Sequence, residues 1–418
     1  MLTTQSAKSP SIFNIAVIVA ALGYFVDIYD LLLFTIVRGP SLKSLHVDMT
    51  NATAVLAAST KIINWQMVGL LIGGIVWGMM GDMKGRLSVL FGSIILYSIA
   101  NFLTGYVTNT DQYAYARFAA GIGLAGELGA GITLVSELLP KAKRGVGTSL
   151  VAGIGLFGAV FAYFTFQITD HDWRLCYKIG GGLGMALLFL RISVAESGMF
   201  KQVKEQNVSR GNILMFFTNA TRFRKYMLAI LIGLPTWFVI GVLVNYSNLF
   251  AKEFYGDNKI DSGRAIMFAY AAIAIGDILI GFVSQYFKSR KKALYLFYLF
   301  TILSGVLFFG GAVKNDFLMY LACSLLGFST GFWAIFVTMS AEQFGTNLRA
   351  TAATTVCNMV RGALYGINFL FFDLFQKTYH WNVVRSGIWT GVIVMVITLI
   401  AAYFTEETYH KDLNYVEK

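Results

Sequence analysis

The sequence predicts an all-α integral membrane protein, with twelve transmembrane helices arranged as two pseudo-symmetric bundles of six. Three observations predict this fold. Of the 418 residues, 56% are hydrophobic and only 13% are charged, whereas soluble proteins carry about 25% charged residues. Twelve runs of the chain are apolar and long enough to cross a bilayer, which takes about 20 residues. The two halves of the sequence also repeat each other weakly.

The twelve apolar runs, called spans 1 to 12 here, give the predicted helices in chain order. Glycine is frequent within them, as expected where small residues let membrane helices approach one another closely. The spans lie at about 12–37, 58–80, 88–107, 113–138, 146–168, 175–194, 226–250, 264–287, 292–312, 316–340, 350–376 and 384–404.

The longest polar stretch separates the spans into two groups of six. We predict an N-terminal bundle over 1–194, a cytoplasmic linker over 195–224 and a C-terminal bundle over 225–418. GMMGDMKGR, which begins at Gly78, is echoed 203 residues later by GFVSQYFKSR, and ELLPKAKRG, which begins at Glu137, is echoed 205 residues later by EQFGTNLRA. Two echoes at nearly one offset indicate duplication of a six-span unit, an arrangement typical of transporters.

Basic residues are concentrated in the loops that face the cytoplasm if both termini lie inside. These residues are Lys84, Arg86, Lys141, Lys143, Arg144, Lys201, Lys204, Arg210, Arg222, Arg224, Lys225, Lys288, Arg290, Lys291, Lys292 and Arg349. The net charge of +11 therefore reflects orientation by the positive-inside rule rather than binding to nucleic acid. We predict a multi-pass protein of the plasma membrane with both termini cytoplasmic. The compact loops favour a bacterial inner membrane.

Several motifs resemble the major facilitator superfamily over essentially the whole chain. GMMGDMKGR resembles the superfamily's loop signature between helices 2 and 3. GYFVDIYDLLLF at 23–34, RFAAGIGLAGELGAG at 117–131 and ESGMF at 196–200 resemble signatures of its metabolite:proton symporter and sugar-porter-like group, although Gly198 replaces the usual proline. The resemblance implies a secondary transporter that works by alternating access. Span 5 lacks the proline of the drug-antiporter signature, which disfavours export.

Four charged residues inside spans 1 and 4 are candidates for proton coupling, because ionisable groups in a membrane are costly and mark functional sites. Asp27 and Asp30 lie three residues apart on neighbouring positions of one helix face. Two such carboxylates in an apolar medium cannot easily both ionise, so one of them is expected to hold a proton. In related sugar porters the second acid faces an arginine, which implies an Asp30–Arg117 pair. Asp27 is the rival proton carrier, and a permanent structural ion pair is the alternative.

Glu127 lies ten residues after Arg117, or about 15 Å along the same helix. Its position near the midplane allows contact with substrate, proton transfer or capping of a helix end.

A second charged group is predicted to form a cytoplasmic gate, mainly from the family resemblance. Asp82 follows Gly81 and precedes the tight turn at Gly85, and its carboxylate is expected to cap a neighbouring helix N-terminus, where negative charge is stabilised. The basic residues are expected to pair with acids in one conformation only. The predicted gate residues are Gly81, Asp82, Gly85, Arg86, Glu137, Arg144, Glu342 and Arg349.

Arg361 near the middle of span 11 departs from the small, apolar residues that the family shows there. A buried guanidinium recognises a carboxylate or phosphate through two parallel hydrogen bonds, which favours an anionic substrate. The alternative is an internal partner, for which Asp277 in span 8 is the candidate. Further residues predicted to contact substrate are Tyr29, Trp333, Tyr365 and Asn358, and Tyr24, Trp237 and Phe369 are other candidates for the cavity wall.

These features predict proton-coupled uptake of a small organic anion by a monomer. The partners would be the substrate, protons and the lipid bilayer. We expect no metal or organic cofactor, and because the sequence contains no nucleotide-binding GxxxxGK[ST] motif, the energy is expected from an ion gradient. Transport of a zwitterion or a sugar, export, and a non-transporting sensor or channel are the alternatives. An enzyme is disfavoured because the spans contain no nucleophile–base set and no metal-ligand spacing.

Overall fold

A computed structural model describes residues 14–140, 143–192, 210–256 and 260–417 of the chain. Within these ranges every regular element is helical, and the twelve predicted spans all appear as helices. Ten of them are long and apolar enough on their own to cross a membrane. Spans 6 and 11 are the two predicted spans that are not among these ten. The prediction of a twelve-helix membrane protein is confirmed.

The first six spans contain two interrupted helices. Span 4 is broken at Ala125 and Gly126, and span 5 is broken at Phe157. The helices of this half are Ile15–Ser44, Ala52–Met83, Arg86–Thr104, Thr110–Leu124 with Glu127–Leu138, Arg144–Leu156 with Gly158–Ile168, and Trp173–Arg191.

The second half repeats these interruptions and adds two π-helical segments. The breaks in spans 10 and 11 fall at positions related to those in spans 4 and 5. The helices are Ala220–Leu231 with Leu234–Phe238, the π-helix Val239–Val244 and Ser247–Tyr255; Ser262–Phe287; Arg290–Phe309; Asp316–Ser329 with Trp333–Glu342; Arg349–Gly362 with Leu364–Asn368 and the π-helix Phe369–Thr378; and Val383–Phe404. Such π-segments are frequent at functional sites.

Most helix contacts fall within one half of the chain. The two halves meet mainly where span 2 packs on span 11 and span 5 packs on span 8. The predicted linker, 195–224, lies largely outside the described residues, as do the ESGMF motif, Lys141, Lys201 and Lys204. Its described part contains the short 3₁₀-helix Ile213–Phe216 and the start of Ala220–Leu231. The division into two bundles joined by this linker remains a prediction.

The two ends of the molecule differ in chemistry. One end carries the loops at 84–85 and 343–348 and is called the basic end. The opposite end carries the loops at 45–51 and 260–261 and is called the vestibule end.

Candidate functional site

Asp30 and Arg117 meet in the interior of the first six spans. Arg117 donates from Nη1 to Asp30 Oδ1 at 2.9 Å and from Nη2 to the Asp30 carbonyl at 3.0 Å. It also donates to Asn101 Oδ1 at 2.8 Å and to Gln66 Oε1 at 3.3 Å. Arg117 and Asp30 are both fully buried. The arginine is therefore held by oxygens from spans 1, 2 and 3. Sequence analysis predicted only the contact with Asp30 of span 1.

Glu127 begins the second half of the broken span 4, where a carboxylate suits the positive end of the helix dipole. Its carboxylate accepts a hydrogen bond from Arg191 of span 6. A side chain at Gly23 would collide with both groups, so this glycine leaves the space in which they pair. Sequence analysis missed Arg191, because a basic residue at the end of an apolar run also fits a loop anchor.

Asp27 faces the second half of the molecule. Its Oδ2 lies 4.0 Å from Arg361 Nη2, across the boundary between spans 1 and 11. Neither carboxylate oxygen of Asp27 has a hydrogen-bond partner among the described residues. Arg361 donates from Nη1 to Asn358 Oδ1 at 3.2 Å, while its Nε has no partner among those residues. The two charges attract each other, but neither has saturated its hydrogen-bonding capacity.

Asp277 is not the internal partner of Arg361, which corrects one of the two predicted alternatives. Its Oδ1 accepts a hydrogen bond of 2.9 Å from the Ala334 amide. That amide belongs to the first turn of the helix that follows the break in span 10. Asp277 therefore caps a helix N-terminus, and Asp27 is the acid nearest to Arg361 among the described residues.

A narrow central cavity, with about 20 Å³ of free space between its walls, lies between the two halves. Its wall contains one cation and no acid. The lining residues are Tyr24, Ile28, Leu31, Leu156, Thr236, Trp237, Tyr270, Ile273, Trp333 and Arg361. Arg361 and Trp333, which the sequence predicted to contact substrate, both line this cavity. Sequence analysis did not single out Thr236 or Tyr270.

Tyr29 and Tyr365 do not line this cavity, and their role as substrate contacts stays a prediction. Tyr29 is fully buried within the first bundle, where its hydroxyl donates to the Cys176 carbonyl at 2.8 Å. It follows Tyr24 by five residues and so lies about 140° around the helix from the cavity face. Tyr365 is 77% exposed. The interruption of span 11 after Gly362 shifts the helix phase, so the four-residue spacing from Arg361 does not carry it into the cavity.

Asn358 and Phe369 are also absent from the lining of this cavity. Asn358 is buried and donates to the Ala125 carbonyl at 3.1 Å and to the Thr354 carbonyl at 2.8 Å. It thus joins span 11 to the break in span 4 and holds Arg361 rather than lining the cavity. Phe369 is half exposed and does not belong to the cavity wall.

Two further cavities lie on the vestibule side of the central one. The first, of about 70 Å³, shares Leu31 and Trp237 with the central cavity. The second, of about 400 Å³, shares Thr35 with the first and reaches the loops at Met49 and Asp261. Free space between the two halves therefore increases from the central cavity toward the vestibule end.

The basic end is closed by Asp82. Its carboxylate accepts hydrogen bonds from the amides of Ala350 and Thr351, at 3.1 and 2.8 Å, and from the Thr351 hydroxyl at 2.7 Å. These donors form the first turn of span 11, so the acid caps a helix of the other half. The adjacent turn depends on Gly85, whose φ of 108° strains any residue with a side chain.

Two arginine–glutamate groups continue this closure and are related by the internal repeat. Glu137 accepts from Arg86 at 2.8 Å and from Arg349 of the other half at 2.9 Å. Arg86 also donates to the Gly81 carbonyl at 2.9 Å. In the second half, Glu342 accepts from Arg290 at 3.1 Å.

Arg144 was predicted to act with Glu137. It instead donates from Nε to the Leu139 carbonyl at 3.2 Å, and Glu342 contributes an attractive charge to it.

The C-terminal segment 405–417 packs on these groups, which the sequence did not predict. The Thr408 hydroxyl donates to Glu342 at 2.7 Å, and the Thr346 amide donates to the Tyr415 carbonyl at 2.8 Å. Glu407 accepts hydrogen bonds from the Ser289 hydroxyl and the Arg290 amide at the start of span 9. Burial alone would raise the pKa of Glu407, but the hydrogen bonds that its carboxylate accepts have the larger effect, and the pKa is lowered. The Glu407 carboxylate at the start of span 9 is therefore charged at neutral pH.

Removal of the Asp82 cap is expected to open the basic end. In Asp82→Ala the three donors of span 11 lose their acceptor, which costs about 1 kcal/mol for a helix cap. The equilibrium between closed and open forms then shifts by about fivefold. Spin labels can be attached at the exposed positions Lys84→Cys and Lys288→Cys. Pulsed electron resonance should then show that a larger fraction of molecules has a long distance between the two labels.

Asp111→Ala is the matched control, because Asp111 is an exposed acid that pairs with Lys61 outside this closure. Its distance distribution should equal that of the parent protein. An unchanged distribution in Asp82→Ala would show that the cap does not stabilise the closed form.

Comparison with known proteins identifies the family. The sequence matches the family described as "Major Facilitator Superfamily" over residues 13–367. It is 27% identical over 359 residues to a "Putative metabolite transport protein" of Haemophilus influenzae, with 83% of this chain and 85% of that protein covered. It is 24% identical over 362 residues to a "Putative niacin/nicotinamide transporter" of Bacillus subtilis, with 83% and 85% covered. The fold is similar to that of the proton:xylose symporter XylE, with a TM-score of 0.77, 16% identity and 96% and 98% of the two chains covered.

Proposed function

Because the chain belongs to the major facilitator superfamily, whose members transport small molecules across membranes, we propose that it takes up a small organic carboxylate together with a proton. Transport would proceed by alternating access, in which the two bundles rock about a central site. The observation that carries the proposal is Arg361, a buried guanidinium on the wall of a cavity that contains no acid. Such a group recognises a planar carboxylate through two parallel hydrogen bonds.

Apart from Asp277, which caps the Ala334 amide, the buried charges near the cavity balance before substrate binds. Three acids and three arginines, each at most 2% exposed, make up this buried charge set: Asp27, Asp30, Glu127, Arg117, Arg191 and Arg361. A substrate carboxylate adds one negative charge to a medium of low dielectric constant. An uncompensated buried charge costs several kcal/mol, so one acid of the set should take up a proton when the substrate binds.

Asp27 is the acid best placed to take that proton. It competes with the incoming carboxylate for Arg361, and no hydrogen bond among the described residues holds it in the ionised form. Asp30 and Glu127 are each engaged by an arginine of their own. In this mechanism the Asp30–Arg117 pair keeps spans 1 and 4 together, and it remains the rival coupling site.

The proposed direction follows from the shape of the molecule and the positive-inside rule. The basic residues assign the basic end to the cytoplasm, so the cavities on the vestibule side face the outside. A form that is open outward and closed inward is the one that loads substrate for uptake. We propose that the protein works as a monomer in a bacterial inner membrane with both termini cytoplasmic.

A zwitterion is the second candidate substrate, because Asp27 and Arg361 present opposite charges 4.0 Å apart. A relative of Acinetobacter baylyi described as a niacin transporter favours the carboxylate, since niacin is a small carboxylate. The two candidates differ in charge movement. One proton with one monocarboxylate moves no net charge, whereas one proton with a zwitterion moves one positive charge.

Uptake into proteoliposomes tests the function. Radiolabelled nicotinate should accumulate about tenfold for an acid-outside gradient of one pH unit, which stores about 1.4 kcal/mol per proton. A membrane potential clamped with valinomycin and potassium should leave this accumulation unchanged. Glycine betaine is the comparison substrate. If a membrane potential drives uptake of glycine betaine, the substrate is a zwitterion and not a carboxylate. If uptake does not respond to the pH gradient, transport is not coupled to protons.

A further inference from the structure

Besides Arg361, two polar groups on the wall of the central cavity lack partners. The Trp237 indole Nε1 and the Thr236 hydroxyl are both buried, and neither has a hydrogen-bond partner among the described residues. Both residues are only 7% exposed. Buried polar groups are almost always hydrogen-bonded, so an unsatisfied pair beside a cavity indicates a ligand group that would satisfy them.

The rest of the wall restricts the shape of that ligand. Four of the ten lining residues are aromatic, namely Tyr24, Trp237, Tyr270 and Trp333, and four are aliphatic. Aromatic walls favour flat, apolar ligands through stacking and edge-to-face contacts. The cavity is also narrow, with about 20 Å³ of free space between its walls, so the walls must part for any ligand, and a flat ligand needs the least separation.

The same wall disfavours sugars and other polyols. A polyol needs a donor or acceptor for each hydroxyl group, and every unpaired hydroxyl would carry a desolvation cost. The aliphatic residues Ile28, Leu31, Leu156 and Ile273 offer none. Because Arg361 is the single cation in the wall, the ligand should carry one negative charge.

We propose that the substrate is a planar aromatic monocarboxylate with a second polar group on its ring. The carboxylate binds Arg361, the ring packs among the aromatic side chains, and a ring nitrogen or hydroxyl accepts from Trp237 and Thr236. The proposal rests on the proposed role of Arg361 as the carboxylate site. It adds the ring and its second polar group, which distinguish this substrate from aliphatic acids.

Four acids of similar size test the class by thermal shift and by competition with labelled uptake: nicotinate, 4-hydroxybenzoate, benzoate and cyclohexanecarboxylate. At least one of the two ring-substituted acids should bind about tenfold more tightly than benzoate, the gain typical of one buried hydrogen bond. Cyclohexanecarboxylate, which is not planar, should bind more weakly than benzoate. If it binds as tightly as the aromatic acids, the proposed class is wrong although the carboxylate function stands. If none of the four binds, the carboxylate function itself fails.

Two variants test the polar contacts. Trp237→Phe keeps an aromatic wall but removes the N–H, and Thr236→Val removes the hydroxyl at nearly constant volume. Either variant should lower affinity for the preferred acid about tenfold and leave benzoate unchanged. Trp381→Phe, outside the cavity, is the control and should change neither. A variant that weakens all acids equally would show a structural role and would overturn the assignment.

Discussion

Replacement of Arg361 by alanine is expected to reduce the affinity for carboxylate substrates by on the order of 100-fold, because truncation of one member of a buried charge pair costs about 2–5 kcal/mol. The loss has two parts. The substrate carboxylate loses its cation, and Asp27, 4.0 Å away in the parent protein, is left without an opposing charge. Binding of nicotinate by thermal shift or calorimetry measures the effect.

Two further variants separate charge from geometry. Arg361→Lys keeps the positive charge but loses the planar fork that matches a carboxylate, so its affinity should fall about tenfold rather than 100-fold. Arg385→Ala is the matched control. Arg385 is an exposed arginine that stacks on Trp381 and lies outside the central cavity, so its loss should not alter binding. Binding that survives in Arg361→Ala, or a ligand preference for neutral compounds, would contradict the assignment.

Hydropathy and charge were sufficient to predict the twelve spans. Membrane helices must satisfy their backbone hydrogen bonds internally, so each helix is encoded locally as an apolar run. Asp82, Arg86 and Glu137 were also predicted, mainly because GMMGDMKGR resembles the loop signature of the superfamily and because the internal repeat marks the position of Glu137. These features depend on short stretches of sequence and little on tertiary contacts.

Pairing between spans could not be predicted in the same way. Glu127 meets Arg191 because spans 4 and 6 adjoin in the fold, although 64 residues separate the two in the chain. Asp277 was the candidate for an internal partner of Arg361, but its role depends on a break in span 10 that exposes the Ala334 amide. The hydropathy of span 10 gives no sign of this break.

The helix interruptions explain the remaining differences. Tyr365 follows Arg361 by four residues, which would place both on one face of a continuous helix. The interruption after Gly362 removes that relation. The break near Gly233 precedes the short helix Leu234–Phe238, which carries Trp237 and Thr236 into the cavity. These interruptions place side chains at the site, and they are among the least predictable features of a sequence.

Replacement of Asp27 by asparagine is expected to abolish proton-driven accumulation while leaving exchange of substrate intact. Asparagine has nearly the shape of a protonated aspartate but cannot gain or lose the coupling proton. With a one-unit pH gradient, accumulation should fall from about tenfold to the equilibrium level. Counterflow, in which internal unlabelled substrate drives entry of labelled substrate at equal pH, requires no net proton movement and should persist.

Asp30→Asn distinguishes the two candidate proton carriers. Asp30 is bound by Arg117 at 2.9 Å, and it does not compete with the substrate carboxylate for Arg361. If Asp27 carries the proton, Asp30→Asn should slow transport or destabilise the protein but still accumulate substrate above equilibrium. If instead Asp30→Asn alone abolishes accumulation and Asp27→Asn retains it, coupling runs through the Asp30–Arg117 pair. Competition for Arg361 would then not be the step that links substrate to proton.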